Sequence, residues 1–310
     1  MKIFNALKQY SENKPIALSL GMFDGVHLGH QTIIKEINEL AKERNLESAI
    51  LTFTPHPRIA FNPNDDLKYL NTFEEKKMLL SKFGIQNLFI QNFDGEFRNL
   101  TGEEFIRKVL INTLHTKLLI IGYDHSFGKN RSGNFELLKQ LAPELGYDVL
   151  QMEAVNLYNH NVSSTKIRKA LEEGKINEAN AMLGYHYPIS GKVVDGKKLG
   201  RSIGYPTANI AVSKKKLLPK KGAYIVDVFV QNKKYMGMLS IGTNPTVNGE
   251  HLTVEVHILN FDKDIYGEDI QIHFREFLHE EIKFESLPLL IEKLDEDKEK
   301  TLEYFKLNTL

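Results

Sequence analysis

The 310 residues predict two domains of different class. Residues 1–184 read as an α/β domain, a parallel sheet with helices on both faces. Residues 185–310 read as a mainly antiparallel β-barrel with a terminal helix. Three observations carry this. The length suits two domains of ordinary size. Up to Gly184, short apolar runs alternate with segments of helical period, the pattern of a parallel sheet. Beyond it the helical period gives way to runs of alternating polarity, as half-buried antiparallel strands show.

In the first half, Ile16–Leu20 is an apolar run of buried-strand type, followed by a Gly-rich turn. Ile33, Ile34, Ile37, Leu40 and Ala41 then fall on one face of a helix. Ser48–Phe53 reads as the second strand. A helix over 74–83 precedes strand Asn87–Gln91, a helix over 102–114 precedes strand Leu118–Ile121, and a helix over 134–145 precedes strand Asp148–Gln151. Ligands of such sheets bind beyond the carboxyl ends of the strands. In the second half the strand runs are Tyr224–Val230, Tyr235–Ser240, Leu252–Ile258 and Asp269–Phe274. Asn232 lies in a short polar break between two of them, which is a hairpin signal. From Leu287 to Phe305 the helical pattern returns.

Composition excludes several classes. There is no cysteine, so disulfides, thiolate zinc sites, iron–sulfur clusters and a catalytic thiol are ruled out. No apolar run approaches the ~20 residues of a membrane helix, and Met1–Lys8 turns polar too soon for a signal peptide. A cytoplasmic protein with no membrane partner is the expectation. Forty basic residues balance forty acidic ones, which argues against a general attraction to nucleic acid. The balance is uneven along the chain. Residues 192–234 hold eleven Lys/Arg and two Asp/Glu, whereas 250–310 hold seven and sixteen. The basic stretch is either solvated surface or a place to meet polyphosphate.

The stretch Gly21-Met-Phe-Asp-Gly-Val-His-Leu-Gly-His30 follows a buried strand and opens a helix. Gly25 and Gly29 let the backbone turn tightly and approach a ligand. His27 and His30 stand three residues apart at the helix start, where imidazoles and free N–H groups can converge on an anion. A second element is Val162-Ser-Ser-Thr-Lys-Ile-Arg168. One hydroxyl suffices for an N-cap. Ser163, Ser164 and Thr165, interleaved with Lys166 and Arg168, suit phosphate better, since cations at a helix start oppose its dipole unless an anion is present. In the second half there is no Walker-type loop. Gly191, Gly196, Gly200 and Gly204 are instead interleaved with Lys192, Lys197, Lys198 and Arg201, and Gly204-Tyr-Pro-Thr-Ala-Asn209 follows. These read either as ordinary turn glycines or as a phosphate loop. Glu255 reads either as an exposed strand residue between Val254 and Val256 or as a carboxylate presented to a cleft.

These motifs resemble a family. Gly21–His30, Thr52-Phe-Thr-Pro-His-Pro57, Gly122–Gly128 with Arg131-Ser-Gly133, and Val162–Arg168 look like the Rossmann-like FMN adenylyltransferase half of prokaryotic bifunctional FAD synthetases, a nucleotidyltransferase-superfamily domain. The run from Gly191 through Asn209, with Asn244–Thr246, Val254–Ile258, Asp264–Gly267 and Lys283–Ser286, is similar to riboflavin kinase. The resemblance covers Ile16 to Lys298 in the family's order. It implies ATP-dependent phosphorylation of riboflavin to FMN, then transfer of AMP from ATP to FMN, giving FAD and pyrophosphate, with Mg²⁺ accompanying ATP. The alternative is that one half works and the other only binds.

By the resemblance, His27 and His30 hold the ATP phosphates of the adenylyl step, with Gly21, Phe23, Asp24, Gly25 and Gly29. Ser163, Ser164, Thr165 and Arg168 grip the triphosphate. Pro55, His56, Pro57, Asp124 and Phe127 meet the flavin. In the kinase half, Gly191, Lys192, Gly196, Gly200, Arg201, Gly204 and Pro206 bind ATP, Thr207 and Asn209 hold the metal with its nucleotide, and Glu255 is the catalytic base. Departures exist: His125 and Ser126 stand where the family commonly has Phe and Arg, and His279 stands where it has Arg. Small-molecule substrates and a monomer or weak homo-oligomer are expected. A different nucleotidyltransferase would leave 186–286 unexplained, and a nucleic-acid module would bind with a steep salt dependence and no need of flavin.

Overall fold

The computed structural model describes residues 1–310 except 13, 124, 154–155, 158–159, 197–198, 247–248 and 309–310. The chain forms two compact units, one of Met1–Leu67 with Lys76–Ser163, the other of Lys68–Glu75 with Ser164–Leu310.

The first unit is built on six parallel strands: β1 (Lys2–Phe4), β2 (Ile16–Leu20), β3 (Glu47–Thr54), β4 (Asn87–Asn92), β5 (Thr116–Gly122) and β6 (Asp148–Met152), in the order β1-β4-β3-β2-β5-β6. Five match the runs read from the sequence. The edge strand β1 was not legible, because three residues carry no pattern. Successive residues of the central strands bury on opposite faces. Leu18, Leu51 and Leu119 join one core with Phe105 and Leu138. Ala17, Ile50 and Leu118 join the other with Ile34, Ile37 and Ala41. That double burial explains why these strands read as continuous apolar runs.

Helix α1 (Leu28–Glu43) lies on the second face. The short α2 (Pro57–Phe61) follows β3, and α3 (Phe73–Lys82) precedes β4. The segment read as a helix over 102–114 starts as α4 (Gly102–Glu104), capped by a Thr101–Glu104 box, and continues as a π-helix over Phe105–Ile111. Its buried residues, Phe105, Ile106, Val109 and Leu110, are spaced i, i+1, i+4, i+5, and the wider turn keeps all four inward. Helix α5 (Phe135–Leu145) has an Asn134 cap and ends at Gly146 in the left-handed region. A two-residue pair, β7 (Asn156–Leu157) and β8 (His160–Asn161), closes the list of strands in this unit.

The second unit begins with α6 (Ser164–Glu172) and α7 (Ile176–Leu183). Six antiparallel strands follow: β9 (Pro188–Val194), β10 (Ala208–Val212), β11 (Gly222–Val230), β12 (Lys233–Thr246), β13 (Gly249–Ile258) and β14 (Asp269–His279). They close as β10-β13-β12-β11-β14-β9, with β9 pairing β10. The hairpin at Asn232 is a two-residue turn in which Gln231 and Asn232 both have positive φ, the geometry that matches strand twist. A short α8 (Leu199–Ser202) lies between β9 and β10, and α9 (Leu287–Leu307) ends the unit.

Residues 68–75 come from the first half of the sequence yet pack within this second unit. Tyr69 exchanges backbone hydrogen bonds with Lys215 and Leu217, and Lys68 O accepts from Arg168 Nε at 3.0 Å. Lys216 Nζ, fully buried, pairs with Glu75 Oε2 at 2.7 Å and sits 4.3 Å from the centre of the Tyr187 ring. Removing one partner of such a pair leaves an uncompensated buried charge, which costs about 3–5 kcal/mol. Glu75→Ala should therefore destabilise the unit by that order, whereas Glu75→Leu with Lys216→Met should recover most of it. Denaturant unfolding of the three proteins checks this, and equal losses in single and double variants would contradict it.

Candidate active sites

In the first unit, Gly21 follows β2, and the turn it opens delivers His27 as the N-cap of α1 and His30 in its first turn. Gly25 has φ 86°. Gly29 is needed for a different reason: a Cβ there would stand 3.2 Å from the His27 ring. The two imidazoles stack, centroids 3.8 Å apart, and the Phe23 ring lies 4.8 Å from His30. Phe23, Asp24 and His27 are all buried. Burial pushes His27 down to about 4. Burial, then the neighbouring charges of His27 and Lys76, hold His30 well below its usual value. Both rings are neutral at neutral pH. Each Nδ1 is buried without a hydrogen-bond partner among the described residues. The arrangement offers polar ring atoms at a helix N-terminus, without the cost of a buried imidazolium.

The carboxyl ends of β3, β4 and β5 frame a cavity of about 420 Å³ lined by Phe53, Phe61, Phe93, Phe97, Phe105 and Phe127. Its rings meet edge-to-face, Phe53 on Phe93 at 5.7 Å and Phe93 on Phe97 at 6.0 Å. Pro57 lines it as well. Pro55 and His56 lead from β3 into α2, where His56 Nδ1 caps the helix by accepting from Arg58 N at 3.1 Å. Phe127 and Gly133 exchange backbone hydrogen bonds, and a Cβ on Gly133 would strike the Phe127 ring. Asp124 lies outside the described residues. A slot walled by edge-to-face and tilted aromatics, with few polar groups, suits a planar ring system. Of its wall the sequence singles out Pro57 and Phe127 for the flavin; Phe61, Phe93, Phe97 and Phe105 lie far enough apart in the chain to form no local motif.

Ser163 closes the first unit, and Ser164, Thr165 and Arg168 lie in the second, on α6.

In the second unit, Val254 and Val256 point into the barrel, and Glu255 between them faces outward. Strand register places Asn209 and Ser240 on either side of it. Thr207 Oγ1 donates to Glu255 Oε2 at 3.1 Å. A cavity of about 330 Å³ holds Glu255 and Thr207 with Leu199, Ile203, Leu290 and Leu294 of α8 and α9 and the adjoining loop. A second, of about 270 Å³, holds Thr207 with Arg201, Pro206 and residues 261–266. Thr207 lines both. The cleft reading of Glu255 therefore fits the geometry.

The glycines here act by close approach. A Cβ on Gly196 would meet the Asn209 amide at 2.1 Å, and one on Gly200 would meet Tyr205 O at 2.1 Å. Gly204 has φ 83°. Gly191 and Lys192, read as part of a loop, lie on β9. There a Cβ at 191 would strike Ala211 O, and Lys192 Nζ donates to Gly267 O at 2.8 Å. Strand pairing on both sides needed the glycine, which mimicked a loop signal. Lys197 and Lys198 lie outside the described residues.

A family model described as FAD synthetase matches residues 9–166, and one described as riboflavin kinase matches 183–305. The bifunctional riboflavin kinase/FMN adenylyltransferase of Listeria monocytogenes is 38% identical over 93% of this chain and 92% of its own. That of Escherichia coli K12 is 34% identical over 99% of each. The chain belongs to the bifunctional riboflavin kinase/FMN adenylyltransferase family. A Streptococcus pneumoniae crystal structure described as a macrolide-efflux protein has the same fold, with TM-score 0.89 and 32% identity over 96% of this chain and 97% of that one. Among the described residues here, no helix is long and apolar enough to cross a membrane.

Set against the family pattern, the departures have local structure. His125 and Ser126 line the aromatic cavity, with the His125 ring 6.1 Å from that of Phe127. His279 Nε2 meets Asp297 Oδ2 at 2.7 Å, joining the end of β14 to α9, and Asp297 lines the cavity that holds Glu255. One buried residue beside the histidines was missed altogether. Lys76 is the only lysine of the first unit among the buried described residues, and in the sequence it stands among four consecutive charges, Glu74-Glu-Lys-Lys77, within the helix read over 74–83.

Because burial holds the His27 pKa at about 4, the unfolded chain takes up this proton near pH 6.5 while the folded chain resists it. Stability should be independent of this group above about pH 7 and fall as pH drops from ~6.5 towards 4. Melting temperatures over that range check it. A His27→Gln variant should show a shallower fall, and an unchanged slope would place the loss elsewhere.

Proposed function

We propose that this protein makes both flavin cofactors, phosphorylating riboflavin to FMN with ATP and then joining FMN to AMP from a second ATP with release of pyrophosphate. The observation that carries the reading is that one chain holds both constellations, the stacked histidine pair after β2 and the Thr207–Glu255 contact between two cavities, over the full span of family similarity. The division of labour we assign is 1–184 for adenylyl transfer and 185–310 for the kinase.

The two reactions ask for different chemistry. Riboflavin's 5′-hydroxyl is neutral with a high pKa, so a positioned carboxylate assists by accepting its proton as the oxygen attacks the γ-phosphorus. Glu255 takes that role, with the flavin in the larger cavity and ATP in the one holding Pro206 and Arg201. Thr207 lies where the two meet. FMN phosphate is already an anion and needs no base. Positioning and charge stabilisation remain, as in phosphoryl transfer generally. His27 and His30 serve the ATP phosphates, with the turn Gly21, Phe23, Asp24, Gly25 and Gly29. The slot lined by Pro57 and Phe127 takes the flavin ring, with Pro55 and His56 at its entrance. We assign nucleotide-phosphate contacts also to Ser163, Ser164, Thr165 and Arg168, and in the kinase to Gly196, Gly200 and Gly204.

Mg²⁺ fits the donor set. The Thr207 hydroxyl and the Asn209 amide are oxygen ligands, and Mg²⁺ is commonly held by one or two protein oxygens plus phosphate and water. When bound it neutralises phosphate charge. Thr207 and Asn209 would hold it on the nucleotide.

Purified protein given riboflavin, ATP and Mg²⁺ should yield FMN and FAD, separable by chromatography, and EDTA should stop both. Glu255→Gln should lower riboflavin phosphorylation by roughly 10²–10⁴ while supplied FMN is still converted to FAD. His30→Ala should lower FAD formation by about 10²–10³ and leave phosphorylation largely intact. Equal loss of both activities in folded Glu255→Gln would make that carboxylate structural and the assignment wrong.

A further inference from the structure

Beside the histidine pair stands a buried cation that neither reaction above has used. Lys76, on α3, is 5% exposed. Its Nζ donates to Met22 O at 2.8 Å and lies 3.5 Å from Thr52 Oγ1, which itself donates to Met22 O at 3.3 Å. Met22 sits in a strained turn. Phe23 has φ 47° and Val26 φ 35°, on either side of Gly25 at 86°. Positive φ at a β-branched residue is a genuine outlier, and such strain persists only where its surroundings over-determine it. An ammonium on the Met22 carbonyl is a strong holder of that kind, because the hydrogen bond is charge-assisted and out of water.

The titratable groups around Lys76 come from two elements. Asp24, from the same turn, favours the ammonium, and burial opposes it more strongly, which brings Lys76 down to about 8. From α1, the His30 ring feels the charges of Lys76 and His27. A polyphosphate arriving at this turn would tip Lys76 fully towards its charged form.

We propose that Lys76 is a positioning residue for adenylyl transfer: its ammonium clamps the Met22 carbonyl and holds the strained turn 21–26 in the shape that receives the nucleotide phosphates. This role rests on the adenylyltransferase reading above.

The test uses the full chain with FMN, ATP and Mg²⁺, following FAD from about pH 6 to about pH 10. In the native protein, kcat/KM for ATP should fall with loss of one proton near pH 8. In kcat the same limb should move to higher pH, because bound polyphosphate favours the ammonium. Lys76→Met should lower kcat/KM about 10²-fold and abolish the limb. Lys76→Arg, which stays charged throughout, should keep part of the activity and also lack the limb. A native profile flat across this range would overturn the role. So would a limb surviving in Lys76→Met, or activity there within about twofold of native. Should Lys76→Met fail to fold by circular dichroism, the native profile and Lys76→Arg decide. Native protein that makes no FAD at any pH would overturn the adenylyltransferase reading and the Lys76 role with it. Native FAD formation with an indifferent Lys76 overturns the Lys76 role alone.

Discussion

A parallel sheet covered on both faces leaves its chemistry a single outlet. In the first unit Ala17 and Leu18, Ile50 and Leu51, and Leu118 and Leu119 alternate between two apolar cores, so the middles of the central strands are given over to packing, and only their last residues, such as Thr52 and Phe53, reach the sites. Function is confined to what rises from the carboxyl ends. From there come the 21–26 turn after β2, Pro55–Pro57 after β3, Phe93 after β4, and His125–Gly128 after β5. The aromatic cavity and the histidine pair both depend on that one constraint, and each uses a local device to bend the chain back. The devices are positive φ in the 21–26 turn, a His56-capped short helix, and the Phe127–Gly133 exchange.

The barrel solves the same problem from the other side. Its inward positions, Val254, Val256 and Ile272 among them, fill the core. The chemistry proposed for this unit therefore sits on the outer wall, where alternation places Asn209, Glu255 and Ser240 in register on neighbouring strands. Exposed, such a row would be an ordinary solvated face. It becomes a cleft because residues 199–207 and helix α9 cover it, with Leu199, Ile203, Leu290 and Leu294 forming an apolar wall opposite the carboxylate. The His279–Asp297 contact helps tie α9 to that wall.

How much of this could be read from the residues follows from what each signal is. Continuous apolar runs gave five sheet strands, and alternation gave four barrel strands with the Asn232 hairpin. The spacing of His27 and His30 at a helix start pointed at an anion site, whereas the Val-Glu-Val alternation around 255 suited an exposed strand residue as well as a cleft carboxylate, and only the family resemblance singled Glu255 out. What stayed hidden breaks no pattern. Strand β1 is too short, and β9 was masked by Gly191, whose strand role is close approach rather than turning. Residues 68–75 carry no period, and the buried Lys216–Glu75 pair that holds them joins positions 141 apart in sequence. Lys76 sits in a run of four charges, and only the fold distinguishes it from Lys77, since burial of one helix face is a tertiary fact.

The two proposed centres also differ in charge in the direction their nucleophiles require. The first collects neutral imidazoles and a buried lysine near the arriving anions, and its Asp24 is set beside that lysine. A carboxylate acting as base there would repel a phosphate nucleophile and gain nothing, since no proton needs removing. The second places Glu255 in the cavity assigned to the alcohol, in contact with Thr207, which also lines the cavity assigned to the nucleotide, and there a neutral hydroxyl is the attacking group. Exchanging the two sets would disable both steps: imidazoles held below their ordinary pKa are poor acceptors for an alcohol proton, and a free carboxylate opposes FMN phosphate. A formal net charge of zero thus says nothing of the two local arrangements, a lysine beside neutral imidazoles in one proposed centre and a carboxylate in the other, each suited to the ionisation state of its proposed nucleophile.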